Sequence, residues 1–153
     1  MPDTITDVGA QQINIIGYDN LDITLHASAG ETVSGNSVDF DFQDIRTGFL
    51  VVDVTALTTP GAGADDISFF FEAKDTVSGK YFTHATFTIT EATIPETEVV
   101  FCDDTTAALP TAPTNFTYLQ AHPINANTYR FRWVPATSGP TWTFSASFLS
   151  KIQ

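Results

Sequence analysis

The segment Ser78-Gly79-Lys80 is the first place to look for chemistry, because a lysine after a glycine can hold a phosphate group. A phosphate-binding P-loop needs an earlier glycine, and its Gly-Lys pair is followed by Ser or Thr at the start of a helix. Here Tyr81 follows the lysine, the earlier glycine is missing, and the next residues are β-prone. The pattern therefore predicts a hairpin loop from Asp75 to Gly79, in which Gly79 adopts a positive φ.

Metal-ligand patterns are weak. The three histidines lie in unrelated segments without HxH or HExxH spacing, so strand-surface or loop positions are expected for His26, His84 and His122. The stretch "DFDFQD" resembles the start of a calcium loop, but it lacks the glycine and the closing glutamate, and it alternates like a strand. We expect no metal site at its aspartates, Asp39, Asp41 and Asp44.

No nucleophile is presented in a recognisable setting. The chain has no Gly-x-Ser-x-Gly elbow, and Cys102 has no basic neighbour in sequence that would lower the pKa of its thiol. A buried, inert thiol is predicted. Two carboxylates facing each other across a cleft would leave no mark in the sequence, and nothing points to such a pair. We expect the protein not to be an enzyme and to need no cofactor.

The overall charge restricts the partners. The 153 residues include 18 Asp and Glu against 6 Lys and Arg, which gives a net charge of −12. Nucleic acids and anionic membranes attract basic surfaces, so neither is an expected partner. No apolar run approaches the length of a membrane span, and the polar first residues do not resemble a signal peptide. A large partner should be neutral or basic where it touches this chain.

Short runs of alternating apolar residues, broken by turns, predict strands rather than helices. The run "GFLVVDVTAL" is almost continuously apolar, which favours a central strand covered on both faces. The fold class expected is all-β: an antiparallel β-sandwich or jelly-roll-like domain over residues 21–153. Residues 1–20 would form an extended N-terminal arm. Its β-prone isoleucines could add a strand to a neighbouring subunit, and the interface candidates there are Ile13, Ile15 and Ile16.

Closing the predicted loop sets a register for the hairpin around it. The pairs expected are Ala73 with Tyr81, Phe71 with Thr83, Phe69 with Ala85, and Ile67 with Phe87, all on the core face. Phe70, Phe82 and His84 then share the opposite face, with Phe70 paired to His84. Either a loop or the N-terminal arm covers this face, or it is a contact patch for another chain.

The last part of the chain predicts a second hairpin. Its core face would carry Tyr129, Phe131, Trp133, Trp142, Phe144, Ala146 and Phe148. Arg130 and Arg132 fall on the other face, where carboxylates should pair with them. Between Asp103 and Asn127 a long excursion is expected, with one short strand from Phe116 to Gln120.

Taken together, "RTGFLVVDVTAL", "ISFFFEAKDTVSGKYF", "YRFRWV" and "WTFSASFL" resemble a family of small virion-associated proteins of tailed phages. The matching positions, spread over roughly residues 21–149, are Arg46, Gly48, Val54 to Ala56, Lys74 to Tyr81, Arg130 to Arg132 and Trp142 to Ser147. The first twenty residues and "INANTYRFRW" depart from the family pattern. The resemblance implies a capsid decoration, or cement, protein: a β-sandwich on the capsid exterior, made in the bacterial host cytoplasm. Its partners would be the major capsid protein and its own copies, often as a trimer.

A carbohydrate-binding β-sandwich is the alternative. Such modules stack sugars on coplanar aromatic rings, and Tyr118, Tyr129, Trp133 and Trp142 are the available residues. Alternation places both tryptophans on core faces, which argues against this reading. An enzyme built on the same fold is the third possibility, and the fold alone supports none of the three.

Overall fold

The computed structural model describes residues 4–6, 12–14, 20–58, 65–103 and 108–151. The elements of these ranges are twelve strands and one turn of 3-10 helix at Glu91–Thr93. The strands are β1 (Thr4–Thr6), β2 (Gln12–Asn14), β3 (Asn20–Glu31), β4 (Gly35–Asn36), β5 (Phe40–Asp41), β6 (Gly48–Thr58), β7 (Asp66–Lys74), β8 (Tyr81–Thr90), β9 (Glu96–Cys102), β10 (Phe116–Ala121), β11 (Thr128–Pro135) and β12 (Thr141–Lys151).

Two sheets form a β-sandwich, as predicted. Sheet I has the strand order β10-β9-β6-β12-β3, and sheet II has the order β4-β11-β7-β8, with β5 also paired to β11. All pairs in the two sheets are antiparallel except β9 with β10, which run parallel. The strands β1 and β2 pair with each other as a separate two-stranded sheet.

The core between the sheets is built largely from phenylalanine. The ring centroids of Phe69 and Phe144 lie 5.0 Å apart, and those of Phe71 and Phe148 lie 5.7 Å apart, which joins sheet II to sheet I. Every residue predicted for the core face of the last two strands is buried: Tyr129, Phe131, Trp133, Trp142, Phe144, Ala146 and Phe148. The predicted second hairpin is wrong, because β11 lies in sheet II and β12 in sheet I, so the turn between them connects the two sheets. Each large side chain removed from water contributes roughly 1.5–3 kcal/mol.

Tyr129 closes the core beside a loop. Its hydroxyl accepts a hydrogen bond from the backbone N–H of Asn125 at 3.1 Å and donates one to the Asn125 side-chain oxygen at 3.0 Å. A tyrosine that bonds to backbone a few residues upstream is comparable to the tyrosine corner of Greek-key sandwiches. The bond fixes the end of the loop where it enters β11.

The predicted loop of the β7–β8 hairpin is confirmed in position, but it runs from Asp75 to Lys80 and is one residue longer than expected. Gly79 has a φ of 72°, and its N–H donates to the carbonyl of Asp75 at 2.8 Å. The Asp75 carboxylate accepts from the N–H groups of Val77 and Ser78, at 3.1 and 3.2 Å. The Ser78 hydroxyl also donates to this carboxylate, and it contributes most to holding the pKa of Asp75 below its usual value, together with the two N–H groups. The Ser-Gly-Lys segment is therefore part of a turn.

The predicted register of this hairpin is wrong. Lys74 pairs with Tyr81 next to the turn, and Phe71 pairs with Ala85 beyond a β-bulge. The bulge inserts one extra residue, His84, into β8. Odd-numbered side chains of β8 therefore face the core after the bulge and face outward before it. Tyr81 and Thr83, expected on the core face, lie on the outer face instead.

Two further expectations about strands needed correction. The run in β6 is central in sheet I, as predicted, but only one of its faces is covered: Val52 is fully buried and Phe49 is 42% exposed. The "DFDFQD" stretch is a strand only at Phe40–Asp41. Its next residue, Phe42, turns inward and is fully buried, while the Asp41 carboxylate accepts from the N–H of Gln43.

Candidate interaction surface

The outer face of sheet II is organised around one buried carboxylate. Glu72 lies between the two arginines of β11 and accepts from Nε of Arg130 at 2.8 Å and from Nε of Arg132 at 2.9 Å. The predicted pairing of these arginines with carboxylates is confirmed. Because Glu72 is almost completely buried, it fixes both guanidinium groups against the sheet.

Aromatic rings lie beneath those guanidinium groups. Arg130 lies 3.5 Å from the ring centroid of Tyr81. The Tyr81 hydroxyl donates to Asp39, and Asp39 also bonds to Lys74 at 2.7 Å. Hydrogen bonds from Lys74 and Tyr81 hold the pKa of the Asp39 carboxyl below its usual value. This intramolecular network joins the loop before β5 to β7, β8 and β11.

The structure does not bring Phe70, Phe82 and His84 together on one face. Phe70 lies on the outer face of sheet II and pairs with Thr86 rather than His84. Phe82 pairs with Ala73, whose side chain is on the inner face, and it is 49% exposed near the hairpin end. The bulge is the physical reason, because it reverses the alternation along β8 between these residues.

His84 belongs to the edge of the core. Its ring contacts Phe71 and Tyr129 edge-on, and its Nε2 bonds to the carbonyl oxygen of His122 at 2.8 Å. Burial lowers the pKa of His84 below its usual value. The expectation for His26 was also wrong: its ring is mostly buried and stacks on Phe144 at a centroid distance of 4.4 Å.

The isoleucines of the N-terminal arm are only partly described. Ile13 lies in β2, where its backbone pairs with that of Ile5. Ile15 and Ile16 lie outside the described residues. The proposed addition of a strand to a neighbouring subunit therefore stays a prediction.

The outer face of sheet I carries a second apolar surface that the sequence reading did not identify. We call it the aromatic face, and it consists of Phe49, Val51, Val99, Phe101, Phe116, Tyr118 and Leu149. Phe49 is 42% exposed, Phe116 is 40% exposed and Leu149 is 37% exposed. The register makes it continuous, since Phe49 pairs with both Leu149 and Phe101 on neighbouring strands. Val99 likewise pairs with Tyr118 across the parallel strands.

Rings on this face contact one another edge to face. Phe49 and Phe101 have centroids 5.0 Å apart at 86°, and Phe101 and Tyr118 have centroids 5.6 Å apart at 85°. Phe116 lies 6.5 Å from Tyr118 at 61°. Such arrangements are favourable between aromatic rings, but they leave no set of coplanar rings on which a sugar could stack.

Three of the four residues considered for sugar stacking are buried in the core. Trp142 and Tyr129 are fully buried, and Trp133 is 6% exposed. Tyr118 alone of the four lies on an outer surface, where its ring packs edge-on against Phe101. These four residues therefore do not form the coplanar platform that a carbohydrate-binding site would need.

Carboxylates border the aromatic face. Asp53 accepts from the hydroxyl of Thr97 at 3.0 Å on this side of the sheet. Glu96 pairs with Val54 and alternates with the outward-facing Thr97, so it lies on the inner side, where it accepts from the hydroxyl of Thr117 at 2.7 Å. Asp103 accepts from the side-chain amide of Gln120 at 2.6 Å. The strands β6, β9 and β10 contain no Lys or Arg. An apolar centre with an acidic border results.

Two ionisable groups are buried behind this face. Burial raises the pKa of the Cys102 thiol to about 12, so the thiol is protonated and unreactive at neutral pH, as expected. Burial also raises the pKa of Glu98 to about 7, with a further contribution from Glu96. One oxygen of Glu98, Oε1, is buried without a hydrogen-bond partner. Within the described ranges, no group of three or more His, Cys, Asp or Glu is placed to hold a metal ion.

Comparisons with known proteins give no relative: no family model, curated protein or solved structure matches this chain. In the part of the chain that the structure describes, no helix has the length and apolar character to cross a membrane. The resemblance to phage virion proteins therefore remains a prediction from sequence motifs. The aromatic face is the feature on which a functional proposal can be based.

Proposed function

We propose that this protein is a structural, non-enzymatic component of a phage virion: a decoration protein that binds the major capsid protein lattice through its aromatic face. The observation that carries the proposal is that face, because an apolar surface on the outside of a sheet marks a place where another molecule binds. The sequence resemblance supports the identity of the partner.

Energetics favour a covered aromatic face. Phe49, Phe116 and Leu149 each remain about two-fifths exposed, and a partner that covered them would gain about 25 cal/mol for each Å² of apolar area removed from water. An apolar centre inside a polar border is also the usual arrangement of protein interfaces. The acidic border would be matched by a partner with Lys or Arg around an apolar patch.

The same acidic border opposes face-to-face pairing of two copies, because like charges would meet at its edges. A trimer on the capsid exterior, as the resemblance implies, would therefore associate through other surfaces and leave the aromatic face to the capsid protein. Synthesis in the host cytoplasm belongs to the same proposal.

Binding to purified capsids tests the proposal. The double variant Phe49→Thr and Leu149→Thr keeps β-propensity and removes exposed apolar area, so we expect at least about a tenfold loss of affinity in co-sedimentation. The matched control is Val38→Thr with Val77→Thr, since these valines are 74% and 94% exposed and lie in loops away from the face. Equal occupancy of capsids by both folded double variants would exclude the aromatic face as the docking surface.

A further inference from the structure

We infer that the partner adds an extended strand to the free edge of β10, so that its side chains continue the aromatic face. The inference rests on the proposed docking role of that face and specifies the chemistry of the partner segment. Apolar residues would occupy every second position of this partner segment, and basic residues would lie at its two ends.

The hydrogen bonds between the parallel strands β9 and β10 determine which backbone groups of β10 point away from the sheet. The N–H of Thr97 in β9 donates to the carbonyl of Asn115 at 2.9 Å, and Thr97 is paired with Phe116. In a parallel pair, every second residue of one strand bonds to the two neighbours of its partner, so Thr97 and the odd-numbered residues after it in β9 bond to the odd-numbered residues of β10. The peptide groups of Tyr118 and Gln120 therefore point outward.

Those outward groups have no strand beside them. β10 is the last strand of sheet I, and the described residues offer no backbone partner to Tyr118 or Gln120. The N–H of Phe116 is satisfied by the carbonyl of Pro113 at 3.2 Å, which leaves its carbonyl available. A partner strand could thus make main-chain bonds along this edge, as in β-augmentation.

The other sheet edges are protected in ways that β10 is not. β3 carries the carboxylates Asp22 and Glu31, and its register with β12 is irregular. The edge formed by β4 and β5 is divided into strands of two residues each. β8 has its bulge at His84, and past it the exposed side chains are threonines. Bulges, charges and short strands are the usual means of blocking strand addition.

β10 combines an uncharged edge with the aromatic face. Its six residues contain no charge, and its register with β9 is regular. Phe116 and Tyr118 project to the same side as the rest of the aromatic face, so an added strand could place apolar side chains next to them. Glu96 and Asp103 lie near the two ends of β10 through their bonds to Thr117 and Gln120. Lysine or arginine at the ends of the added strand would complement both carboxylates.

The test uses the full chain and a synthetic peptide of alternating valine and threonine with lysines at both ends. In amide NMR spectra of the ¹⁵N-labelled protein, we expect shifts concentrated at Phe116–Ala121 and slower hydrogen exchange at Tyr118 and Gln120. Gln120→Pro removes an outward N–H at an edge position, where proline is tolerated, and should weaken peptide binding about tenfold. Gln120→Ala loses the same side chain and its bond to Asp103 but keeps the N–H, so it is the reference against which the loss of binding by Gln120→Pro is measured.

Several results would overturn the inference. They are shifts that map to another edge, equal binding of a peptide with glutamates in place of the lysines, or unchanged binding by a folded Gln120→Pro variant. Capsid-binding measurements distinguish a failure of the strand-addition inference from a failure of the proposed function. If the Phe49 and Leu149 double variant loses capsid binding while Gln120→Pro keeps it, the strand-addition inference fails and the docking proposal stands. If the peptide binds at β10 while neither variant affects capsid binding, the docking proposal fails.

Discussion

The guanidinium of Arg132 lies over the ring of Phe70, with its Cζ 3.9 Å from the ring centroid. Phe70 was expected to belong to a contact patch, yet this stacking and the bond from Arg132 to Glu72 cover it from within the same chain. The side chain therefore has a structural role that does not require another molecule.

Replacing Phe70 by Thr should lower the free energy of unfolding by about 1–2 kcal/mol, since the variant loses a cation–π contact and apolar packing. Phe82→Thr is the matched control: this residue is 49% exposed, and its replacement should change stability by less than about 0.5 kcal/mol. Urea unfolding measures both. A Phe70→Thr variant that keeps full stability but loses self-association would restore Phe70 as an interface residue.

The free energy of unfolding should decrease as the pH rises between the unfolded-state and folded-state pKa values of Glu98. Burial raises the pKa of this carboxyl from 4.5 to about 7, so the folded state holds the proton more tightly than the unfolded state does. The folded state is therefore favoured at low pH, and this advantage is lost between about pH 4.5 and 7, with a total of roughly 3 kcal/mol at most.

Glu98→Gln should remove that dependence and make the protein more stable than the parent above pH ~7. The lowered pKa of His84 acts in the opposite sense, because stability from a buried neutral histidine is lost as the pH falls. Both proteins contain His84, so the difference between their unfolding free energies at each pH isolates Glu98. Parallel pH curves for the two proteins would show that folding does not raise the pKa of Glu98.

Gly48 should be intolerant of any side chain. A Cβ at this position would collide with the backbone oxygen of Leu149 and approach the ring of Phe148. We expect Gly48→Ala to lower the free energy of unfolding by more than about 2 kcal/mol, because backbone cannot give way easily. Gly79→Ala is the comparison: it meets nothing within 4 Å, but its φ of 72° should cost about 1 kcal/mol. Thermal unfolding of both variants would settle the order, and an equal loss would contradict the collision at Gly48.

Removing residues 1–19 should leave a folded domain. β1 and β2 pair with each other, while β3 begins at Asn20 and is held by β12. If the arm adds a strand to a neighbouring subunit, the truncated protein should also form fewer oligomers in analytical ultracentrifugation. A shortened chain that does not fold would place the arm in the core of its own domain, and one with unchanged mass would remove its role in assembly.

Alternation predicted the buried faces of β11 and β12 well, but not their pairing, because β11 lies in sheet II and β12 in sheet I. A short turn between two strands does not say whether they pair with each other or cross between the sheets. The β7–β8 register failed for two local reasons. The loop is one residue longer than expected, and the extra residue at His84 leaves no mark in an alternating run of Thr, Phe and Ala. A bulge is a property of the strand pair, and one strand read alone does not contain it.

The aromatic face was missed although its signal is present in "GFLVVDVTAL". A continuous apolar run indicates that both faces of a strand are apolar, but it does not say what covers the second face. Phe49 and Val51 were therefore assigned to a buried interior. The neighbouring rings Phe101 and Tyr118 could not be placed beside them from sequence, because the parallel pairing of β9 with β10 follows a long excursion.

The position of β12 determines when sheet I can form as the chain is made. β12 lies between β3 and β6, so these two early strands cannot pair with each other in the finished sheet. A nascent chain still lacking residues 141–151 would leave Leu50, Val52 and Val54 on β6 without the strand that normally bonds beside them. Closing so distant a contact is slow compared with local pairing. During that interval the apolar side of β6 would need a chaperone or early packing against sheet II to avoid aggregation.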